Sequence, residues 1–343
     1  MSRPDIRELA RLSGVSVGTV SRALNGYTDV SAQTRERVMR IAEELDYTPA
    51  AAARSLVTQR SHVVGVFLET EEGHPDIQHP FFHEVLGGLK HFAGTEGYDL
   101  LLFASERPGN GYGTHTYLKR CRHHNVDGAV LMGMDADDPE VRRLVRSDVP
   151  TVGVDIEIEG PRTSLVISDN EAGSGAAVRH LHELGHRRIA HITGLLDKRP
   201  GAERLRGYRR ELQRLGLTPR DEYVGYGDFY FDSGYTAMQG LLELDEPPTA
   251  VVVAADMTAL GAIRAANEAG LEVPRDLSVV GFDDIQLAEY LHPPLTTLRQ
   301  AKASLGKEAG RALVRLIDGE ADVPAAVTLP VELIVRASTA PPR

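Results

Sequence analysis

Apolar positions follow two rhythms along this chain. In the first part they recur at three- and four-residue spacing: Ile6, Leu9 and Ala10, then Val20 and Leu24, then Val38, Ile41, Ala42 and Leu45. Each set lines one face of a short helix. Asp5 with Glu8 three residues on resembles a capping box, Gly14 suits the left-handed residue that ends a helix, and Ser16 is a good N-cap for the next. A third helix starts at Ser31 and is stopped by Tyr47-Thr48-Pro49. Three such helices can share one small core. The run from Ala50 to Leu56 consists of good helix formers but is too short to hold a helix alone in water, so it is expected to order only against a partner.

From residue 62 the rhythm changes to short apolar runs alternating with helical stretches. Val63–Leu68, Asp99–Phe103, Gly128–Met132, Val149–Val154, Ile189–Ile192, Val251–Ala254 and Leu277–Gly281 read as strands. Phe82–Phe92, Thr116–His124, Glu171–Leu184, Arg204–Leu215, Asp232–Leu244 and Ala259–Ala269 read as helices. Such alternation predicts parallel sheets with helices on both faces. So many strands divide into two sheets, with crossovers expected near Ser168-Asp169-Asn170 and Asp283-Asp284 and the C-terminal portion returning to complete the first lobe. The predicted fold is therefore an all-α helix-turn-helix headpiece (1–48), a hinge helix or linker (49–61) and a two-lobed α/β core with parallel sheets (62–336). A frayed tail (337–343) is expected to end the chain. No leucine heptads follow Arg336, so a tetramer built on a C-terminal coiled coil is not expected.

Charge is divided unevenly over this plan. Residues 1–60 hold nine Arg and no Lys against seven acidic residues, while the remainder carries 29 basic and 42 acidic residues. Only the headpiece can approach a polyanion, and binding there should be oriented and salt-sensitive. Cys121 is the sole cysteine, which rules out an internal disulfide and fits a reducing compartment. With no apolar stretch of membrane-spanning length and no signal-peptide pattern, the expected location is the cytoplasm, away from membranes.

Gly14 to Asn25 reads as the turn and second helix of a DNA-binding helix-turn-helix. With Val20 and Leu24 turned inward, Ser16, Val17, Gly18, Ser21 and Arg22 are left for the outer face. Arg22 can present a bidentate fork to guanine, the hydroxyls of Ser16, Thr19 and Ser21 suit phosphates or base edges, and Val17 can touch a thymine methyl. Gly18 offers close approach. The competing reading is an ordinary helical hairpin with a solvated polar face.

Residues 5–60 resemble the headpiece and hinge of the lactose-repressor (LacI/GalR) family of bacterial transcription factors. The matching residues are Gly14-Val15-Ser16, Thr19-Val20-Ser21-Arg22, Asn25, Val30-Ser31, Thr34-Arg35, Val38, Leu45, Tyr47, Pro49 and Ala53-Arg54-Ser55-Leu56. The resemblance implies that the matched hydroxyl residues, Ser31 and Thr34 included, and Asn25 contact phosphates, and that Arg22 reads bases. It also assigns hinge residues Ala53 and Leu56 to the duplex, Leu56 as a minor-groove wedge that repays unstacking by bending the DNA toward the protein. Packing on the following domain is the alternative for Leu56. Ala50 departs from the family's usual asparagine.

Most of residues 62–336 is similar to the effector-binding core of the same family, which shares its fold with periplasmic sugar-binding proteins. The similarity rests on His79-Pro80-Phe81-Phe82, Val126-Asp127-Gly128, Ser168 to Gly173, His180 to Ala190, Gly227-Asp228-Phe229, Ser278 to Asp284 and Pro294 to Thr297. In parallel sheets ligands bind beyond the carboxyl ends of strands, which points to Phe81, Phe82, Arg204, Phe229, Asp256 and Asp283. Aromatic faces, carboxylates and guanidinium suit a saccharide. Two departures from the family stand out: Ala255 replaces the usual asparagine before Asp256, and Lys198-Arg199-Pro200 replaces a small polar loop. Lys198 is therefore a further candidate, for an altered sugar contact or for an acidic or phosphorylated ligand.

Competing chemistry is weaker. His182-Glu183-Leu184-Gly185-His186 matches the zinc-protease pattern, but Gly185 sits where the helix should end and takes the second histidine off its face. Gly173-Ser174-Gly175 lacks the third glycine of a dinucleotide fingerprint, and Cys121 with His123 and His124 suits helix-end dipole contacts better than a metal. No catalytic residues, metal site or cofactor are expected. The sequence thus points to a non-enzymatic regulator, a homodimer on double-stranded, pseudo-palindromic operator DNA, controlled by a small saccharide-like effector. A sugar-processing enzyme or a transport receptor is the alternative from another class.

Overall fold

The computed structural model describes residues 5–24, 27–47, 60–69, 77, 79–104 and 116–343. They form two units, one within residues 1–62 and the other within 63–343. Asn25 and most of the 49–61 segment, with Ala53 and Leu56, lie outside the described residues.

The first unit is three helices: α1 (Ile6–Ser13), α2 (Val17–Leu24) and α3 (Ala32–Glu44). Asp5 caps α1 by accepting from the backbone N–H groups of Arg7 (2.9 Å) and Glu8 (2.8 Å), satisfying donors that a helix start leaves open. Gly14 closes it at φ +65°, a conformation that costs a residue with a Cβ. Ser16 caps α2 through the Thr19 N–H, and Ser31 caps α3 through the Thr34 N–H. Leu9, Ala10, Val20, Ala23, Val30, Val38, Ile41 and Ala42 are buried together between the helices.

The second unit alternates strands and helices as the apolar runs predict. Its first sheet takes β1 (Val63–Leu68), β2 (Asp99–Phe103), β3 (Gly128–Met132), β4 (Thr151–Val154) and β5 (Thr163–Ser168). Between them run α4 (Pro80–Thr95), α5 (Tyr117–His123) and α6 (Pro139–Val145). The second lobe follows with α7 (Asn170–Glu183), β6 (Ile189–Ile192), α8 (Arg199–Arg214), β7 (Val224–Gly225), α9 (Phe231–Leu242) and β8 (Ala250–Val253). It continues through α10 (Asp256–Glu268), β9 (Ser278–Asp283), α11 (Gln286–Tyr290) and β10 (Thr296–Gln300). Then come α12 (Lys302–Asp318), β11 (Ala326–Leu329) and β12 (Val331–Ile334). The strand orders are β11-β5-β4-β3-β1-β2 and β12-β10-β9-β8-β6-β7, parallel throughout except for β12. Central strands such as β3 and β4 are buried on both faces, which is why they read as unbroken apolar runs.

Two expectations are corrected here. The chain does not cross between lobes at Asp283-Asp284: β10 pairs in parallel with β9, Thr296 to Arg299 against Val280 to Asp283, so the second lobe keeps the chain through Gln300. The crossings fall at Ser168–Asn170, at Gln300–Lys302 and at Pro330, which separates β11 in one sheet from β12 in the other. Nor is the tail frayed. Ser338 is fully buried; its Oγ donates to the Val279 carbonyl (2.6 Å) and accepts from the Thr296 N–H (2.8 Å), and the Ala340 N–H donates to Ser278 Oγ (3.0 Å). His186 completes the anchor, with Nδ1 against Thr249 Oγ1 (2.9 Å) and Nε2 against the Ala340 carbonyl (2.8 Å). Gly185, at φ +106°, is the turn that takes His186 off α7 and into this strap. A tail of small polar residues has no apolar period, so only its hydrogen bonds reveal that it is held. Ser338→Ala is expected to lower stability by roughly 2–3 kcal/mol in urea unfolding, because two buried backbone groups lose their partner; an unchanged midpoint would show that the strap contributes nothing.

Among the described residues no helix is long and apolar enough to cross a membrane.

Candidate DNA-binding and effector sites

On the first unit, burial of Val20 and Ala23 turns the opposite side of α2 outward. Ser16, Val17, Gly18 and Arg22 are exposed there, with Thr19 and Ser21 half-buried beside them, and Ser31 and Thr34 at the start of α3. A Cβ at Gly18 would meet only Ser16 Oγ, 3.8 Å away, so nothing in the protein's own packing calls for glycine. Arg22 lies 3.4 Å from Asp29 in an exposed ion pair. Such pairs are weak, which leaves the guanidinium available to a stronger partner.

On the second unit a cavity opens between the lobes at the carboxyl ends of both sheets, with about 770 Å³ of unfilled space including its mouth. The first lobe contributes His79, Phe81 and Phe82 after β1, Gly133 and Met134 after β3, and Asp155 after β4. The second contributes Lys198, Pro200 and Arg204 after β6, Asp228 to Tyr230 after β7, Asp283 at the end of β9 and Gln300 at the end of β10. Six of the seven residues read from sequence, namely Phe81, Phe82, Lys198, Arg204, Phe229 and Asp283, are thus brought to one cavity.

Asp256 is the exception and a correction. It is fully buried, its Oδ1 accepting from Thr297 Oγ1 (2.6 Å) and its Oδ2 from the Ile285 N–H (2.9 Å). It braces the second lobe behind the cavity instead of lining it. Burial, then the neighbouring Asp283, pushes its carboxyl well above the ordinary range.

Arg204 is the electrostatic centre. Only 3% exposed, it donates from Nε to Asn170 Oδ1 (2.9 Å) and from Nη1 to the Ala254 carbonyl, lies 3.8 Å from Asp283 Oδ1, and stacks 3.7 Å from the centre of the Phe282 ring. Burial pulls its pKa down, opposed by Asp283, Asp155, Glu203 and Asp256. Asp283 accepts from Gln300 Nε2 (2.6 Å) and sits at φ +118°, followed by Asp284 at φ +52°. The buried Lys302 holds these two strained residues by donating to both carbonyls, at 2.5 and 3.0 Å. Phe229, also at positive φ, lays its ring where a side chain on Gly194 would stand, 2.0 Å from the position of its Cβ.

The sequence reading missed His79, Asp155, Tyr230 and Gln300. Asp155 directly follows the apolar run ending at Val154, so the rule that selected Asp283 could have found it; Gln300 ends a strand the apolar pattern did not reveal. Burial, reinforced by Glu203 and Asp283 and opposed by Arg204, raises the Asp155 carboxyl to about 7. Its folded pKa lies above the unfolded one, so ionising it opposes folding increasingly as pH rises from about 4 through about 7. Asp155→Asn is accordingly expected to gain stability relative to the wild type over that window, and equal pH slopes in chemical denaturation would refute the assignment.

A helix-turn-helix unit carried by a two-lobed α/β unit with an interlobe cavity is the build of a bacterial transcriptional regulator. The chain belongs to the lacI family of bacterial regulatory proteins: residues 5–50 match that family's description, and residues 178–339 match the periplasmic binding protein-like domain. It is 38% identical over 338 residues to the HTH-type transcriptional regulator CelR of Thermobifida fusca, covering 98% of each chain. Among solved structures it is similar to a CelR–cellobiose complex (36% identity, TM-score 0.74, 98% of this chain and 100% of that one). It is also similar to a lac repressor dimer bound to operator and the anti-inducer ONPF (31% identity, TM-score 0.85, 99% and 100%). The protein is a transcriptional repressor of this family and not an enzyme.

Proposed function

We propose that the chain acts in the cytoplasm as a homodimer, binding a pseudo-palindromic operator through Ser16, Val17, Gly18, Thr19, Ser21, Arg22, Asn25, Ser31 and Thr34. Residues 49–61, with Ala53 and Leu56, form a hinge that orders on the duplex. A saccharide held between the lobes by Phe81, Phe82, Lys198, Arg204, Phe229 and Asp283 sets operator affinity. The observation that carries this reading is the cavity itself, where aromatic rings and a buried guanidinium–carboxylate pair converge from two lobes. Support for the sugar comes from the related CelR–cellobiose complex, and support for the operator from the related lac repressor complex.

An effector that prefers one lobe arrangement shifts operator affinity by its differential binding, typically about 1–3 kcal/mol, or roughly 5- to 150-fold. The test is selection from fragmented genomic DNA with the full-length protein, then gel shifts on the selected site with and without cellobiose and a panel of other sugars. A symmetric site whose affinity changes with one of these sugars is the expected result. Recovery of no symmetric sequence would overturn the operator half, and indifference to every sugar the effector half.

A further inference from the structure

Buried polar groups tie the crossings between the lobes to one another. At the first crossing Asn170 opens α7 with both atoms of its amide engaged: Oδ1 accepts from Arg204 Nε (2.9 Å), while Nδ2 donates to the Ser168 carbonyl (3.2 Å) and to Glu203 Oε2 (3.0 Å). The neighbouring Asp169 N–H donates to the Leu329 carbonyl (2.9 Å), beside the crossing at Pro330. At the remaining crossing Gln300 Nε2 donates to Asp283 Oδ1 (2.6 Å), and Lys302 Nζ donates to the carbonyls of Asp283 and Asp284. Arg204 and Asp283, 3.8 Å apart in the cavity wall, close the chain between these ends.

Lys302 is an unexpected residue for its place. It is the first residue of α12, where the helix dipole disfavours a cation, and Ala301 before it offers no side-chain cap. Helix stability therefore does not call for lysine here. Its ammonium has three protons to give, and its neighbours are the two carbonyls of the second lobe and Glu84 Oε1 (3.4 Å) on α4 of the first. One side chain thus touches both lobes at a crossing.

Asn170, Glu203, Arg204, Asp283, Gln300 and Lys302 are each no more than 8% exposed, so water is poorly placed to replace a broken link. Arg204, Asp283 and Gln300 face the cavity; Asn170 and Lys302 do not line it. A ligand that engages the wall therefore acts on links that end at the crossings.

We propose that Asn170 and Lys302 are positioning residues of the effector response: they fasten the Arg204–Asp283 pair to the crossings, so that occupation of the cavity resets the lobes. This rests on the saccharide reading above and deepens it. A chain of contacts is not by itself a coupling, so the test reads the coupling directly.

Gel shifts on the selected operator, with the full-length protein, would give the factor by which the effective sugar changes operator affinity. That factor, about 5- to 150-fold in the unaltered protein, is expected to fall to about 2-fold or less in Asn170→Ala and in Lys302→Met. Calorimetric affinity for the sugar should change by less than about 5-fold, because neither side chain lines the cavity. Glu84→Gln, at the half-exposed end of the chain where folding is not at risk, should lower the factor by about 2- to 5-fold. The double variant should be no worse than either single, since both interrupt one chain. Nitroxide labels at Glu159→Cys on the first lobe and Gln213→Cys on the second, with the buried Cys121 left unlabelled, report the lobe setting. The sugar should shift the label distance in the unaltered background and leave it unshifted in Asn170→Ala.

Variants that respond to the sugar as the unaltered protein does would overturn the proposal and leave the saccharide reading standing. So would a lost response with the label shift intact, or single losses that multiply in the double variant. Indifference of the unaltered protein to every sugar would remove that reading and this proposal with it.

Discussion

Arg22→Met is expected to cost about 1–3 kcal/mol of discrimination between the selected operator and the same operator altered at one base pair, a loss of roughly 5- to 150-fold at that position. Arg22 stands half-exposed on the outer side of α2, and its only ion pair among the described residues, with Asp29 at 3.4 Å, is solvent-exposed. Breaking that pair to reach guanine costs no more than about 1 kcal/mol. The planar fork matches two acceptors on guanine's groove edge; a lysine at this position supplies charge without the fork, so Arg22→Lys should lose discrimination while retaining most non-specific affinity. Anisotropy titrations over a salt series separate the alternatives. A base contact leaves the salt slope nearly unchanged, whereas uniform weakening across all sequences with a slope reduced by about one would make Arg22 a phosphate contact.

Arg204→Leu has the larger expected effect on the protein itself. The guanidinium is 3% exposed among Asp283, Asp155, Glu203 and Asp256, and removing it strands carboxylates that its charge compensates. Breaking a buried pair from one side costs about 3–5 kcal/mol. The sign with pH follows from Asp155. Arg204 is what holds that carboxyl down toward about 7 against its burial, so without Arg204 its folded pKa climbs further above the unfolded value. The variant's deficit should therefore be smallest near pH 4 and widen as pH rises through 7. Urea unfolding at pH 5 and pH 8 measures this directly, and an equal deficit at both would mean the loss comes from packing on Phe282. Effector response should vanish at either pH.

How far the apolar pattern reaches can be judged element by element. β1, β2, β3 and β6 were legible with their ends because strands in a parallel sheet show themselves as short apolar runs between turns. β11 and β12 were not, since they are half-exposed edge strands with mixed composition, and Pro330 between them sends one to each sheet. The same limit governs the cavity. Asp256 and Asp155 both follow apolar runs, so a rule about strand ends treats them alike. Asp256 opens a helix and turns back to Thr297 and Ile285, whereas Asp155, at φ +57°, lines the space between the lobes.

Local chemistry was enough to specify the headpiece helices, their caps at Asp5, Ser16 and Ser31, the alternating core and the residue types available to DNA and ligand, because caps, turns and burial periods act over a few neighbours. Which lobe each late strand joins, how the last residues are strapped down by His186 and Ser278, and which polar atoms are left facing the cavity were decided only when distant segments met. Those outcomes depend on pairings across scores of residues, such as Asp283 with Arg204 or Ser338 with Val279, and no local pattern records them.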